Sequence, residues 1–172
     1  MLKKVLEKFP ASVFQSLHEA AGVYRIEKNL CAIVGELPEA MEKYCVATFE
    51  HEKVSILKLP SMDVEIELPD REVLLTAVYR INHSDPFYVP TGRIFVRLRK
   101  KINMQEKAEA LKDMQFRIID IPKYAPHSGW VEHLSGKTDK ALSEINQIKN
   151  LEDVENIEPQ MLSVRSLKAS SG

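Results

Sequence analysis

Apolar and polar positions are ordered most clearly over residues 91–162, where periods of two and of three to four take turns along the chain. Ile94, Val96 and Leu98 alternate with Arg93, Phe95, Arg97 and Arg99, which predicts a strand with three branched aliphatics turned to a core. Asn103, with Glu106 three residues on, has the spacing of a helix start, and Ala108, Leu111 and Met114 then supply a buried stripe. Residues 116–121 predict a second strand ended by Pro122, residues 124–129 a turn-rich loop, and residues 130–134 a third strand. Thr138 is expected to cap a second helix with the stripe Ala141, Leu142, Ile145 and Ile148, and residues 154–158 a fourth strand stopped by Pro159. Strand, helix, strand, strand, helix, strand is the split βαβ or ferredoxin-like order. It predicts a compact antiparallel sheet with two helices on one face.

The preceding residues are patterned in shorter pieces. Leu2, Val5, Leu6, Phe9, Val13, Phe14 and Leu17 recur at three- and four-residue steps, which predicts an amphipathic helix interrupted near Pro10 and ending before Gly22. Residues 31–34 are an apolar run stopped by Gly35, and residues 38–43 predict a short helix. Residues 45–49, 53–59 and 62–68 alternate as half-buried strands do, and the last of these has the cleanest period of two in the chain. Residues 72–80 lean to strand at their end, and residues 81–90 predict a linker or long hairpin loop. The expected fold class is therefore α+β: a ferredoxin-like domain at 89–162, preceded by a smaller α+β region at 1–88 and followed by a tail at 163–172.

Composition narrows the partners more than it names them. The chain has 172 residues, enough for one good core or two small ones, and a formal net charge of −1. A surface built to hold phosphates would be more basic, so no nucleic acid is expected as a partner. The basic amphipathic N-terminus is diluted by Glu7 and Glu19, no run nears the roughly 18 apolar residues of a span, and no membrane is expected. The lack of a signal-peptide pattern favours a cytoplasmic location. Cys31 and Cys45 suit two small apolar positions rather than a disulfide framework. His18, His51, His83, His127 and His133 show no ligand spacing with cysteines or carboxylates, so neither a metal nor a cofactor is expected. No Gly-rich phosphate loop or nucleophile motif supports catalysis, and His133 reads as a packed or rim residue.

Four stretches resemble the propeptide region of subtilisin-like serine proteases. Gly92-Arg-Ile-Phe-Val-Arg-Leu98 is similar to the family's opening strand, and Ile121-Pro-Lys-Tyr-Ala-Pro126 leading to Gly129-Trp-Val-Glu132 is similar to its hairpin. Ala141-Leu-Ser-Glu-Ile145 has the helix register A-L-x-x-I/L, and Leu151-Glu-Asp-Val-Glu-Asn-Ile-Glu-Pro159 resembles the ending L-p-g-V-e-x-v-E-P. The match covers residues 78–162, with Glu152-Asp153 standing where the family has Pro-Gly, which predicts a looser turn there. The resemblance implies an inhibitor and intramolecular chaperone of a subtilisin-like protease, acting in cis or in trans and not itself an enzyme. It implies further that Phe95, Trp130 and Glu132 lie on a sheet face that docks on the protease. Met161, Leu162, Ser163, Val164 and Arg165 would run extended through its cleft, held by strand addition. The frayed terminus is the competing account of that tail.

Two other classes compete. Two consecutive α+β units would suit a regulatory, amino-acid-sensing type of small-molecule module without catalysis. A single-stranded RNA binder would place aromatic side chains with basic neighbours on the central strands, for which Phe95 with Arg93 and Arg97 is a partial match and Trp130 or His133 the other strand's offer.

Overall fold

The computed structural model describes residues 2–18, 20–61, 63–65, 67–68, 73–82 and 86–164. They are mixed α+β, dominated by antiparallel sheet with few and short helices. The chain divides into two compact units, one of Met1–Ala11, Tyr24–Pro90 and Met161–Gly172, the other of Ser12–Val23 and Thr91–Gln160.

The first unit opens with α1 (Leu2–Leu6), a five-residue helix that buries Leu2 and Leu6 and packs on a later strand, β5 (Leu74–Arg80). The helical pattern is interrupted near Pro10 as expected, but beyond it the chain forms a short strand, Ser12–Phe14, where the helix was expected to go on. Pro10 lacks the N–H that a continuing helix needs and biases Phe9 towards extended backbone, so the three-and-four spacing ends there. Val13 is buried all the same, from the short strand β1 (Ser12–Phe14) of the second unit. Periodicity found the buried residues and misassigned the backbone.

In the first unit β2 (Val23–Val34), β3 (Cys45–Phe49), β4 (Val54–Lys58) and β5 follow the order β3-β4-β2-β5, all antiparallel. A 3₁₀ turn at Glu39–Tyr44 stands where the short helix was expected. Tyr79 of β5 faces Tyr88 at the start of β6 (Phe87–Leu98), a strand whose first residues belong to this unit and whose remainder belongs to the second. The residues expected to form a loop up to Pro90 are thus partly strand: the run Phe87-Tyr-Val pairs in spite of the proline that follows. Leu30, Ala32, Ala47, Val54, Ile56, Val78, Phe87 and Val89 make one apolar cluster, with Leu162 packed against it. Tyr79 closes the N-terminal segment by donating its hydroxyl to the Pro10 carbonyl at 2.7 Å.

The strand expected over residues 62–68 is absent among its described residues. Asp63, Val64, Glu65, Glu67 and Leu68 have no ladder, although Val64 and Leu68 are half-buried and the acids are exposed. Alternation chose which side turns inward, but a strand also needs a neighbour for its backbone groups. Pro60 on one side, and Pro69 beyond the segment in the sequence, shorten the run available for one.

The second unit is built on the later part of β6. β7 (Phe116–Asp120) and β8 (Ser128–His133) form an antiparallel hairpin, and β8 pairs with β6 through Ile94↔Val131 and Phe95↔Trp130. β9 (Val154–Val164) pairs with β6 on the other side. The Arg99 N–H donates to the Asp153 carbonyl at 3.0 Å and Thr91 Oγ1 lies 2.8 Å from Gln160 Oε1, so β9 runs opposite to β6. The order is β9-β6-β8-β7.

Between these strands, Asn103 caps a 3₁₀ turn at Met104–Lys107 by accepting from the Gln105 N–H, and α2 (Ala108–Asp113) follows. α3 (Thr138–Glu144) continues into a 3₁₀ stretch at Ile145–Asn150. Thr138 is not the cap expected of it: Lys137 holds the cap position, with no side-chain bond to the helix. α2 packs on β7 and α3 on β8. Ile94, Val96, Leu98, Met104, Leu111, Ala141, Leu142, Ile145 and Ile148 are all buried. The Ser12–Val23 segment is tied in by Asn156 of β9, whose buried side-chain oxygen accepts from the Leu17 N–H at 2.9 Å.

β9 runs through Pro159 rather than stopping at it. β6 is the only strand partner of β9 among the described residues, and a strand with one neighbour is where proline is tolerated.

Two outcomes test this packing. At Gly129 an added Cβ would meet Met104 Cγ at 2.9 Å and the Asp120 carbonyl oxygen at 3.1 Å. Because the second neighbour is backbone, Gly129→Ala should lower unfolding free energy by about 1–3 kcal/mol in urea denaturation. Cys31 and Cys45 both oppose Leu57, two strand spacings or roughly 9–10 Å apart, too far for a disulfide. Burial pushes the Cys31 thiol from 9.0 up to about 12. Its neutral form is thereby favoured in the fold, so its contribution to stability is intact below pH 9 and is lost as pH rises towards 12. Titration with an aromatic disulfide at pH 8 should modify Cys45 first and Cys31 only on unfolding.

Candidate docking face

The register of β6, β7 and β8 sorts their side chains onto two faces. Ile94, Val96 and Leu98 of β6, with Val131 and His133 of β8 and Phe116 of β7, take the face that α2 and α3 cover. Phe95, Trp130, Glu132 and Arg117 take the other.

Phe95 and Trp130 are direct cross-strand partners on the two central strands, their rings 5.2 Å apart and tilted by 58°. Each is half-buried, because each shields one side of the other. Glu132, two residues beyond Trp130, is on the same face and opposite Arg117, whose Nε donates to Glu132 Oε1 at 2.7 Å while its terminal nitrogen pairs with the same oxygen. Arg97 Nε lies 3.6 Å from Glu155 Oε2, an ion pair longer than a hydrogen bond. The face is an aromatic pair flanked by two compensated ion pairs. Arg97 and Arg117 are thereby directed at carboxylates rather than left free for phosphates, while Arg93 is exposed on the same side of β6.

The three residues expected on this face are therefore together on it. Of the five expected in a tail, four are described. Met161, Leu162, Ser163 and Val164 form the end of β9, with Met161 and Leu162 half-buried and Ser163 exposed. Arg165 lies outside the described residues.

The turn before β9 differs from what the substitution of Glu152-Asp153 for Pro-Gly suggested. Asp153 has φ +67°, the left-handed conformation that glycine enters most readily, and aspartate is one of the few other residues to tolerate it. It is not loose. Its carboxylate is 3.3 Å from Lys107 Nζ and 3.9 Å from Arg99 Nε, and its carbonyl accepts from the Arg99 N–H. Two cations hold in place a conformation that glycine would adopt without them.

Sequence reasoning passed over one cluster. His133, at the end of β8, is only 6% exposed and stacks edge-on against Phe116 at 5.3 Å. Its Nε2 pairs with Glu144 Oε2, and its Nδ1 is 2.7 Å from Ser135 Oγ. Glu144 is eleven positions from His133, and only the strand-turn-helix path brings them together, so no linear motif marked them.

In the first unit, Leu6, Phe9 and Ile26 line a hollow of about 390 Å³ together with Lys3, Lys28, Glu7 and Glu27. Among the described residues no helix is long and apolar enough to cross a membrane. Comparison of the chain with protein-family models, with curated proteins and with solved structures found no match.

Because Arg117 is more than half exposed, its pair with Glu132 adds little to the fold. Glu132→Gln should shift the urea unfolding free energy by under about 1 kcal/mol, leaving it a clean probe of binding.

Proposed function

We propose that the second unit is a ferredoxin-like βαββαβ module that docks on a subtilisin-like serine protease, inhibiting it, assisting its folding, or both. The observation that carries the reading is the joint presence of Phe95, Trp130 and Glu132 on the sheet face that neither α2 nor α3 covers. Three further observations agree with it. The strand order β9-β6-β8-β7 with alternating directions is the one such a module requires. The turn at Asp153 keeps a left-handed backbone where the resembled family has glycine. β9 also carries the chain past Pro159 in extended form, towards the segment that would enter a cleft.

An aromatic pair with a charged rim is a suitable anchor for such docking. Its rings bury a large area at small cost in side-chain entropy, and Glu132 can exchange Arg117 for a partner's donors. For residues 161–164 to join a protease strand by strand, they must leave β9 and Leu162 must leave its apolar cluster. Face docking can precede this release.

A second reading has its own support. The hollow beside Leu6, Phe9 and Ile26, lined also by Lys3, Lys28, Glu7 and Glu27, would admit a small ligand with an apolar body and both a cationic and an anionic group, as in a regulatory module without catalysis.

Titrating the whole chain against a subtilisin, with hydrolysis of a peptide substrate as readout, distinguishes these. Inhibition in the micromolar range or tighter is expected, with Trp130→Ala weakening it at least tenfold and Glu132→Gln less. Absence of inhibition at micromolar concentration, with a rise in melting temperature on adding amino acids or related carboxylates, would instead favour the ligand-binding reading.

A further inference from the structure

The turn between β8 and α3 contains a serine, an imidazole and a carboxylate in hydrogen-bonded sequence. We propose that Ser135, His133 and Glu144 form a nucleophilic site that accepts acyl groups from activated carboxylic esters, aryl esters and thioesters among them. It is independent of the docking face, since His133 lies on the helix-covered side of β8 and Trp130 and Glu132 lie on the other.

The hydrogen bonds fix the roles. Glu144 at the end of α3 takes Nε2 of the ring, so the ring proton sits on Nε2 and points at the carboxylate. Nδ1 is left with its lone pair. The backbone N–H of Ser135 confirms this independently, because it is directed at Nδ1 at 3.1 Å, and a donor there requires an unprotonated nitrogen. Ser135 Oγ, 2.7 Å from the same nitrogen, is the nearer of the two donors that share the Nδ1 lone pair, and it accepts from the Lys137 N–H at 3.1 Å. One lone pair of that oxygen stays free. The ring cannot swing away, being buried against Phe116. Ser135 itself is exposed, and the neighbouring Gly136 has nothing within 4 Å of the place a Cβ would occupy. A buried base held by a carboxylate beside an accessible hydroxyl is the arrangement by which serine is activated.

The step balances without any further reagent. The free lone pair of Ser135 Oγ attacks the ester carbonyl carbon while the hydroxyl proton passes to His133 Nδ1. The tetrahedral adduct collapses with cleavage of the bond to the leaving group, which takes that proton and departs as an alcohol or thiol. Ser135 is left as an ester. Water then gives a proton to Nδ1 and attacks the acyl carbon, releasing the carboxylic acid and restoring the hydroxyl. The class of acyl donor follows from the same turn. The N–H groups of Ser135, Gly136 and Lys137 are committed to Nδ1, the His133 carbonyl and Ser135 Oγ respectively. None is spare for a developing oxyanion, so a good leaving group has to replace that stabilisation.

The test uses the full chain with p-nitrophenyl acetate, following nitrophenolate release and mapping acetyl groups by peptide mass spectrometry. An adduct at Ser135 is expected to form at least tenfold faster than at Ser61, an exposed serine that serves as the internal reference. Ser135→Ala should abolish the fast phase, and Glu144→Gln should slow it at least tenfold with an unchanged circular dichroism spectrum. Should Glu144→Gln unfold, the wild-type chain labelled in urea replaces it, and the preference for Ser135 must then vanish. Equal acetylation of Ser135 and Ser61, an unaltered rate in folded Glu144→Gln, or a preference that survives urea overturns the proposal.

Discussion

The alternation along β6 is the constraint on which the second unit depends. Ile94, Val96 and Leu98 are buried completely, each contributing about 1.5–3 kcal/mol of gross apolar burial against the entropy cost of ordering the chain. A slip of one residue would turn all three outward and drive Phe95 into the core. β8 and β9 both take their register from this strand, so the assignment of every side chain on the sheet to a covered or an uncovered face follows from it.

The parts of the fold legible in the sequence are those where local pattern and tertiary partner agree. The stripe of α3, the cap at Asn103 and the pattern of β6 were all readable, because burial of one face is what produces the pattern. Where a neighbour decides, pattern alone misleads. Val13 shares the spacing of Leu2, Leu6 and Phe9 but belongs to a strand, because a proline intervenes. The alternation of residues 62–68 is cleaner than that of any real strand here, yet its described residues have no ladder. Pro159 looked like a stop only because the sequence does not announce which strands lie at an edge.

The candidate site divides along the same line. Phe95 and Trp130 were identifiable as aromatics at outward positions of strands, but their exact opposition is a matter of register between segments 35 residues apart, which the structure supplies. Ser135, His133 and Glu144 were harder, since the contact that completes the set, His133 to Glu144, crosses from a strand to a helix. Asp153 shows a different kind of illegibility. A residue type that departs from the expected glycine keeps the glycine conformation, because Lys107 and Arg99 are placed to hold its carboxylate.

The one-sided pairing of β9 has a consequence for the chain's behaviour at high concentration. Among the described residues this strand of eleven has β6 as its one strand neighbour, and such a strand is a template on which further copies could stack edge to edge. Glu155 and Glu158 on β9 are exposed, and a stack of like copies would have to bring their carboxylates together. Charge carried on the strand itself therefore works against polymerisation along it.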